Sequence, residues 1–267
     1  MDAVDVISQD GTRLAALRSG SGAAIVFVHG SFGGLQSWDP VGAELRNEFE
    51  LWTYARRGYS PSDSSSGCNT FAKDAADLAA VVARTGGRPH VVAASHGATV
   101  ALHAVGAGVV DVASLTIFEP PLFAAGAELS GTLARFRDLL RTGQPAAAMR
   151  LFLREVARMP EAMLPPADGP VDAQLRAQLD GAECDLEAMV ADVPDLSRWG
   201  SLAVPTLLLH GERTWPPMPE TMLALHAALP VGSQRTTLAG QTHFATHESP
   251  AQFAAIVRAF IRRSPTV

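Results

Sequence analysis

Val91-Val92-Ala93-Ala94-Ser95-His96-Gly97-Ala98-Thr99-Val100-Ala101-Leu102 decides how the rest of the chain is read. It opens behind Pro89 as a short run of β-forming residues and closes as a small-residue segment of helical character, with Ser95 at the change. A strand that turns at once into a helix leaves no room for bulky side chains beside the turning residue. Ala93 and Gly97, two positions to either side of Ser95, meet that demand. The arrangement predicts a strained serine backbone with an exposed hydroxyl. The helix behind it aims its first N–H groups at whatever oxygen lies next to that hydroxyl. The plainer alternative is a tight strand–helix junction without chemistry, because small residues at strand ends are common in an alanine-rich chain.

Working outward from this stretch, strands and helices alternate. Val4–Ser8 and Thr12–Arg18 read as strands joined at Asp10-Gly11, a two-residue hairpin signal. Ala24-Ile25-Val26-Phe27-Val28 is continuously apolar, as expected of a strand buried on both faces of a sheet, and ends in the glycine-rich turn His29-Gly30-Ser31-Phe32-Gly33-Gly34. Residues 37–46 fit a helix with Trp38, Val41 and Leu45 on one side. The strand Glu50–Tyr54 runs into Ala55-Arg56-Arg57-Gly58-Tyr59-Ser60 and a serine-rich loop to Gly67. Thr70 caps a helix with apolar positions Phe71, Ala75, Leu78 and Val82, ended by Gly86-Gly87. After the Ser95 segment, a sixth strand at Ser114–Phe118 leads into Glu119-Pro120-Pro121. This order predicts an α/β protein with a mostly parallel, doubly wound sheet and helices on both faces.

The alternation stops from about Leu122 to Leu202. Leu133, Phe136, Leu139 and Leu140 line one helix ended by Gly143, and Met149, Phe152, Leu153 and Val156 line a second ended near Pro160. A proline-rich break (Pro165, Pro166, Pro170) precedes a polar helical segment with Leu175, Leu179, Leu186 and Met189. The expectation is a core built from 1–121 and 203–267, with 122–202 inserted after the sixth strand as an all-helical cap; the alternative is a set of extra helices covering the sheet. Alternation resumes with the strand at Pro205–His210, a helix from about Pro219 to Leu229 and a strand at Gln234–Leu238. The loop Ala239-Gly240-Gln241-Thr242-His243 then leads into a closing helix. There Pro250 follows Ser249, and Phe253, Ile256, Val257, Phe260 and Ile261 form the buried face.

Composition bounds the functions available. The chain has 267 residues, 47% hydrophobic and 18% charged, enough apolar material for a sizeable core. A formal charge of −6 without long charge blocks argues against nucleic acid or anionic membranes as partners. No apolar run approaches the roughly 20 residues a membrane span needs. Met1–Gln9 carries no signal-peptide pattern, so a cytoplasmic location is the default expectation. Cys68 and Cys184 have neither metal-ligand spacing nor the density of a disulfide scaffold.

Five short patterns in order give the chain a resemblance. They are His29-Gly30-Ser31-Phe32-Gly33, Arg57-Gly58-Tyr59-Ser60, Ala93-x-Ser95-x-Gly97, Pro205-Thr206-Leu207-Leu208-Leu209 and Gly240-Gln241-Thr242-His243. Together the sequence resembles the α/β-hydrolase family over nearly its full length, with alanine in place of the usual first glycine of the nucleophile elbow. The resemblance implies a serine hydrolase with Ser95 as nucleophile and His243 as its base, since a serine hydroxyl needs a base within reach. Of the rival histidines, His29 lies in the His-Gly turn, His96 follows the nucleophile, His103 sits on the next helix and His210 ends a strand. His90 and His226 read as surface residues, and His247 lies in the approach to the closing helix.

The acid departs from the family pattern. An aspartate usually follows the seventh strand in a Gly-x-x-Asp turn, but here the turn reads Gly211-Glu212-Arg213-Thr214. Some family members carry the acid after the sixth strand, which points to Glu119, with Glu212 as its rival. The resemblance further implies an oxyanion hole from the backbone N–H groups of Ser31 and His96. Phe32, Trp38, Phe123, Phe136, Met149, Phe152 and Trp215 are candidates to line the substrate pocket, although aromatic and methionine residues at helical spacing are often core. No metal or cofactor is implied. The expected substrate is a small, partly apolar carboxylic ester or lactone. Alternatives are C–C hydrolysis, lyase or cyclisation chemistry at the same residues, or a ligand-binding protein with a vestigial site.

Overall fold

The computed structural model describes residues 1–64, 67–193 and 195–264; Ser65 and Ser66 of the expected serine-rich loop lie outside them. The strands are β1 (Asp2–Ile7), β2 (Arg13–Gly20), β3 (Ala23–Val28), β4 (Phe49–Tyr54), β5 (His90–Ala94), β6 (Ser114–Phe118), β7 (Thr206–Gly211) and β8 (Gln234–Leu238). They form one sheet of order β1-β2-β4-β3-β5-β6-β7-β8. β2 runs antiparallel to β1 and β4, and every pair from β4 to β8 is parallel. The fold is the expected doubly wound α/β architecture.

Period-two alternation divides the apolar side chains between two cores. In β3, Ile25 and Phe27 join one core while Val26 and Val28 join the other, and none of the four is accessible to solvent. The first core is closed by α1 (Asp39–Leu45) and the C-terminal helix, numbered in order below; Trp38 stacks on Phe27 there with centroids 4.9 Å apart. The second is closed by α2 (Phe71–Arg84) and α3 (His96–Gly106). The side chain of Thr70 accepts a hydrogen bond from the Lys73 N–H, so the expected N-cap is present on α2. Helix α3 is buried from His96 through Leu102, as a helix apolar all round should be.

Between β6 and β7 run α4 (Ser130–Arg141), α5 (Pro145–Glu155) and α6 (Ala173–Val190). Leu133, Phe136, Phe152, Leu179, Leu186 and Met189 are buried in the same apolar cluster as the α2–α3 side of the sheet. Because β6 and β7 are parallel hydrogen-bonded neighbours, this helical segment leaves the sheet at the C-terminal end of β6 and re-enters at the opposite edge, at the N-terminal end of β7. The remaining helices are α7 (Met218–Ala228), α8 (Ala245–Glu248) and α9 (Pro250–Arg263). Phe253, Val257 and Phe260 of α9 pack into the first core, where Phe253 meets the rings of both Trp38 and Phe118.

Two local expectations are corrected. The β1–β2 connection is closed by Ser8 N–H donating to Thr12 O at 2.9 Å, which leaves a three-residue tip rather than a two-residue turn, with Gly11 at φ 87°. His90 is buried rather than on the surface. Its Nδ1 lies 2.8 Å from Ser114 Oγ on the neighbouring strand, and burial depresses its basicity.

Candidate active site

Ser95 stands on the bend between β5 and α3 with φ 53° and ψ −128°, a conformation few non-glycine residues occupy. Strain of this kind costs on the order of 1–3 kcal/mol and persists only where the surroundings impose it. Here its N–H donates to Phe118 O at 2.8 Å, and its carbonyl accepts from Ala98 at 2.9 Å as α3 begins. Gly97 is a steric requirement, since a Cβ there would lie 2.4 Å from the His29 carbonyl oxygen.

The end of β6 supplies the carboxylate. Glu119, fully buried and also at positive φ (45°), accepts from the Gly211 N–H at 2.8 Å through Oε1. Its Oε2 accepts from the Thr214 hydroxyl at 2.9 Å and lies 2.5 Å from His243 Nδ1. Thr214, in the position the family's aspartate usually occupies, thus donates to the glutamate one strand over. Glu212 is exposed and turns away, accepting from the Gly240 N–H at 2.7 Å. The His243 ring lies near Phe118, Trp215 and Phe244, with centroids 5.9, 5.4 and 6.0 Å away. Trp215 is held in turn by its indole N–H, which donates to Ala157 O at 2.9 Å.

The His-Gly turn closes the site from β3. His29 is buried, its Nε2 accepts from the Arg56 N–H at 3.0 Å, and its Nδ1 accordingly donates to Gly30 O at 2.7 Å. Burial, with Arg56 adding to it, pushes its pKa down to about 3, so the ring is neutral. A structural role follows, because both nitrogens are occupied. Ser31 donates through Oγ to Asp185 at 2.6 Å, and Phe32, at φ 58°, donates its N–H to the Tyr59 hydroxyl at 3.2 Å. The other histidines are engaged elsewhere: His103 stacks on Phe71 at 4.4 Å, and His210 Nε2 lies 3.2 Å from the Thr237 hydroxyl.

A mainly apolar cavity of about 80 Å³ opens onto these groups. Ser31, Phe32, Ser95 and His243 line it, with walls from Phe152, Val156 and Met189 of the helical segment and from Trp215. Of the aromatic and methionine candidates, Phe32, Phe152 and Trp215 are therefore at the cavity. Four others are not among its walls. Trp38 is buried between Phe27 and Phe253 on the opposite face of the sheet. Phe136 is buried behind Phe152 with ring centroids 6.3 Å apart, and Phe123 and Met149 pack against the same core. Helical spacing marks a buried face but does not say whether another side chain or an open space meets it. Among the described residues, no group of three or more His, Cys, Asp or Glu side chains is arranged to hold a metal ion, and no helix is long and apolar enough to cross a membrane.

Sequence reasoning missed Asp185. It falls on the buried stripe of α6 with Ala182, Leu186 and Met189, and a carboxylate at a core position was the available signal, since such a residue is almost never fully buried unless paired. Its partner is Arg56, through bonds of 2.7 and 2.9 Å.

Residues 25–256 match a family model described as Alpha/beta hydrolase family. An alpha/beta hydrolase from Sphaerobacter thermophilus DSM 20745 shares the fold with a TM-score of 0.81 and 25% identity, over 96% of this chain and 99% of that one. A thermophilic esterase from Thermogutta terrifontis gives 0.80 and 22% over 100% of both chains. The enol-lactonase from Burkholderia xenovorans LB400 gives 0.76 and 18% over 98% of this chain and 100% of that one. No curated protein matches the sequence. With a family match spanning most of its length, and a mostly parallel sheet that carries a strained serine at the turn after β5, the chain belongs to the alpha/beta hydrolase family.

Proposed function

We propose that the protein is a serine hydrolase that cleaves a carboxylic ester or lactone through an acyl-enzyme, with Ser95, His243 and Glu119 as its triad. The observation that carries this reading is the 2.5 Å contact between His243 Nδ1 and the buried, triply hydrogen-bonded carboxylate of Glu119. A carboxylate so held keeps the proton on Nδ1, leaves Nε2 free to act as a base, and stabilises the imidazolium that forms. Ser95 Oγ attacks the carbonyl carbon while its proton passes to His243 Nε2. The N–H groups of His96 and Ser31 receive the developing oxyanion. His243 then protonates the departing alkoxide, and water, activated by the same imidazole, releases the acid. The helices between β6 and β7 act as a cap that shapes the pocket.

The relatives described as an esterase and an enol-lactonase support the substrate class. The cavity supports a short acyl group: at about 80 Å³ it is smaller than the roughly 150 Å³ cavity that accepts benzene. A fluorophosphonate probe is expected to label the protein, and Ser95→Ala to abolish both labelling and hydrolysis of p-nitrophenyl acetate. Labelling undiminished in the alanine variant would end this reading. Turnover without Ser95 would move the chemistry to a route with no acyl-enzyme, such as C–C hydrolysis or a lyase reaction.

A further inference from the structure

One buried carboxylate ties together three segments that are remote in sequence. Asp185 Oδ1 accepts from Arg56 Nη1 at 2.7 Å, and Oδ2 accepts from Arg56 Nη2 at 2.9 Å. Oδ2 also accepts from the hydroxyls of Tyr59 and Ser31, each at 2.6 Å. His96 Nε2 lies 3.3 Å from Oδ1 and 3.9 Å from Asp74 Oδ2, a close electrostatic contact rather than a hydrogen bond. Burial pushes the Asp185 carboxyl up, but the Arg56 guanidinium outweighs it and holds the group well below the usual carboxylate range. Asp185 is therefore an anion with no access to water.

Stability is a weak reason for such an arrangement, because replacing a buried ion pair by apolar groups of similar volume is often neutral or better. The identity of its neighbours suggests another use. Two of the side chains at the carboxylate belong to Ser31 and His96, whose backbone N–H groups are the oxyanion donors of the proposed mechanism. We propose that Asp185 is a positioning residue for the oxyanion hole: from α6 it holds the Ser31 turn and the first residue of α3 at the spacing a tetrahedral oxyanion requires. The inference rests on the oxyanion assignment made above. Donors of this kind act only when already in place, and a misplacement of about 1 Å can cost around 100-fold in rate. Because the carboxylate belongs to the helical segment, packing of α6 and readiness of the hole become one condition.

The test is Asp185→Asn in the full chain, with kcat counted per active site titrated to completion by the fluorophosphonate, so that misfolded molecules drop out. The second measurement is inhibition by an aliphatic trifluoromethyl ketone, whose hemiketal oxygen occupies the hole. The expected result is a fall in kcat per titrated site of about 10- to 1,000-fold, with ketone affinity falling in step and KM changed less than about 3-fold. An unchanged kcat per site, whatever the loss in Tm, overturns the proposal and leaves an ion pair that only holds the fold. Should Asp185→Asn fail to fold, Ser31→Ala and Tyr59→Phe serve instead. Ser31→Ala removes one bond to Oδ2 alone, whereas Tyr59→Phe removes one together with the acceptor of the Phe32 N–H. Ser31→Ala is expected to lower kcat per site roughly 3- to 30-fold at constant KM, Tyr59→Phe by at least as much, and no change in Ser31→Ala overturns the proposal. Ser95→Ala separates the two levels. Turnover surviving in that variant removes the underlying mechanism, whereas its loss beside an unaffected Asp185→Asn removes only the role of Asp185.

Discussion

In the proposed triad the acid is Glu119, and Thr214, at the family's usual acid position, is one of its hydrogen-bond donors. The threonine cannot hold a charge, but its hydroxyl and the Gly211 N–H orient a glutamate on the neighbouring strand. Glu119→Gln is expected to lower kcat by roughly 10⁴, the loss typical when an acid that sets the imidazole tautomer is neutralised. Glu212→Gln, altering an exposed side chain bonded to Gly240, should stay within about 3-fold. Steady-state kinetics of the two variants side by side decides between them, and the reverse ranking would move the acid to the loop after β7. His29 contributes to acid sensitivity at the same scale. Below pH about 6.5 the unfolded chain protonates this imidazole, whereas the folded chain does not until about 3. Its contribution to stability is therefore lost as pH falls through that window, by up to about 1.4 kcal/mol per unit. Urea unfolding at pH 7 and pH 4.5 should show a smaller difference for His29→Asn than for the parent, even though the variant is less stable overall. The glutamate was legible as a candidate because it directly follows an apolar strand. Its contact with His243 followed as an expectation from the family resemblance and from no local pattern, because residues 119 and 243 meet only through the order of β6, β7 and β8 in the sheet.

The elbow is the element that admits least change. A methyl group at Gly97 would sit 2.4 Å from the His29 oxygen and 2.6 Å from the Val28 oxygen, both backbone atoms that cannot rotate away. Gly97→Ala is expected to destabilise by about 1–3 kcal/mol, as overpacking does, and to reduce kcat by displacing Ser95 from the turn. A drop in Tm with activity unchanged would show that the turn absorbs the shift. Helix α5 offers the opposite case, where change is tolerated and alters selectivity. Phe152 stands between the cavity and the core, edge-on to Phe32 at 5.1 Å. Phe152→Ala should shift the preferred p-nitrophenyl ester from acetate towards longer chains, measured as kcat/KM against chain length. Element types were legible throughout, because periods of 2 and 3.6 are local properties of the chain. The conformation of the β1–β2 tip and the burial of His90 were less so, since both depend on which strand lies alongside.

At the scale of the whole molecule, the two faces of the sheet carry different duties. The face covered by α1 and α9 is a closed core, and Trp38 belongs to it rather than to the pocket. Trp38→Ala should therefore cost about 3–5 kcal/mol in urea unfolding while leaving the ester chain-length preference where it was. A changed preference would return Trp38 to the substrate site. The α2–α3 side is continuous with α4–α6, and the cavity opens where the helices between β6 and β7 meet the strand ends. From the amino-acid order alone come the α/β class, the helical interruption from 122 to 202, and a serine at a strand-to-helix bend that tolerates only small neighbours. Each of these is written in periodicity or in sterics within a few residues. The three-dimensional arrangement alone decides that Glu119, not Glu212, meets His243, that Phe152 faces open space while Phe136 faces other side chains, and that Asp185 sits beneath Ser31 and His96. Those outcomes depend on which strand ends become neighbours and on how α6 crosses them, and no local pattern in the chain encodes a contact between segments remote in sequence.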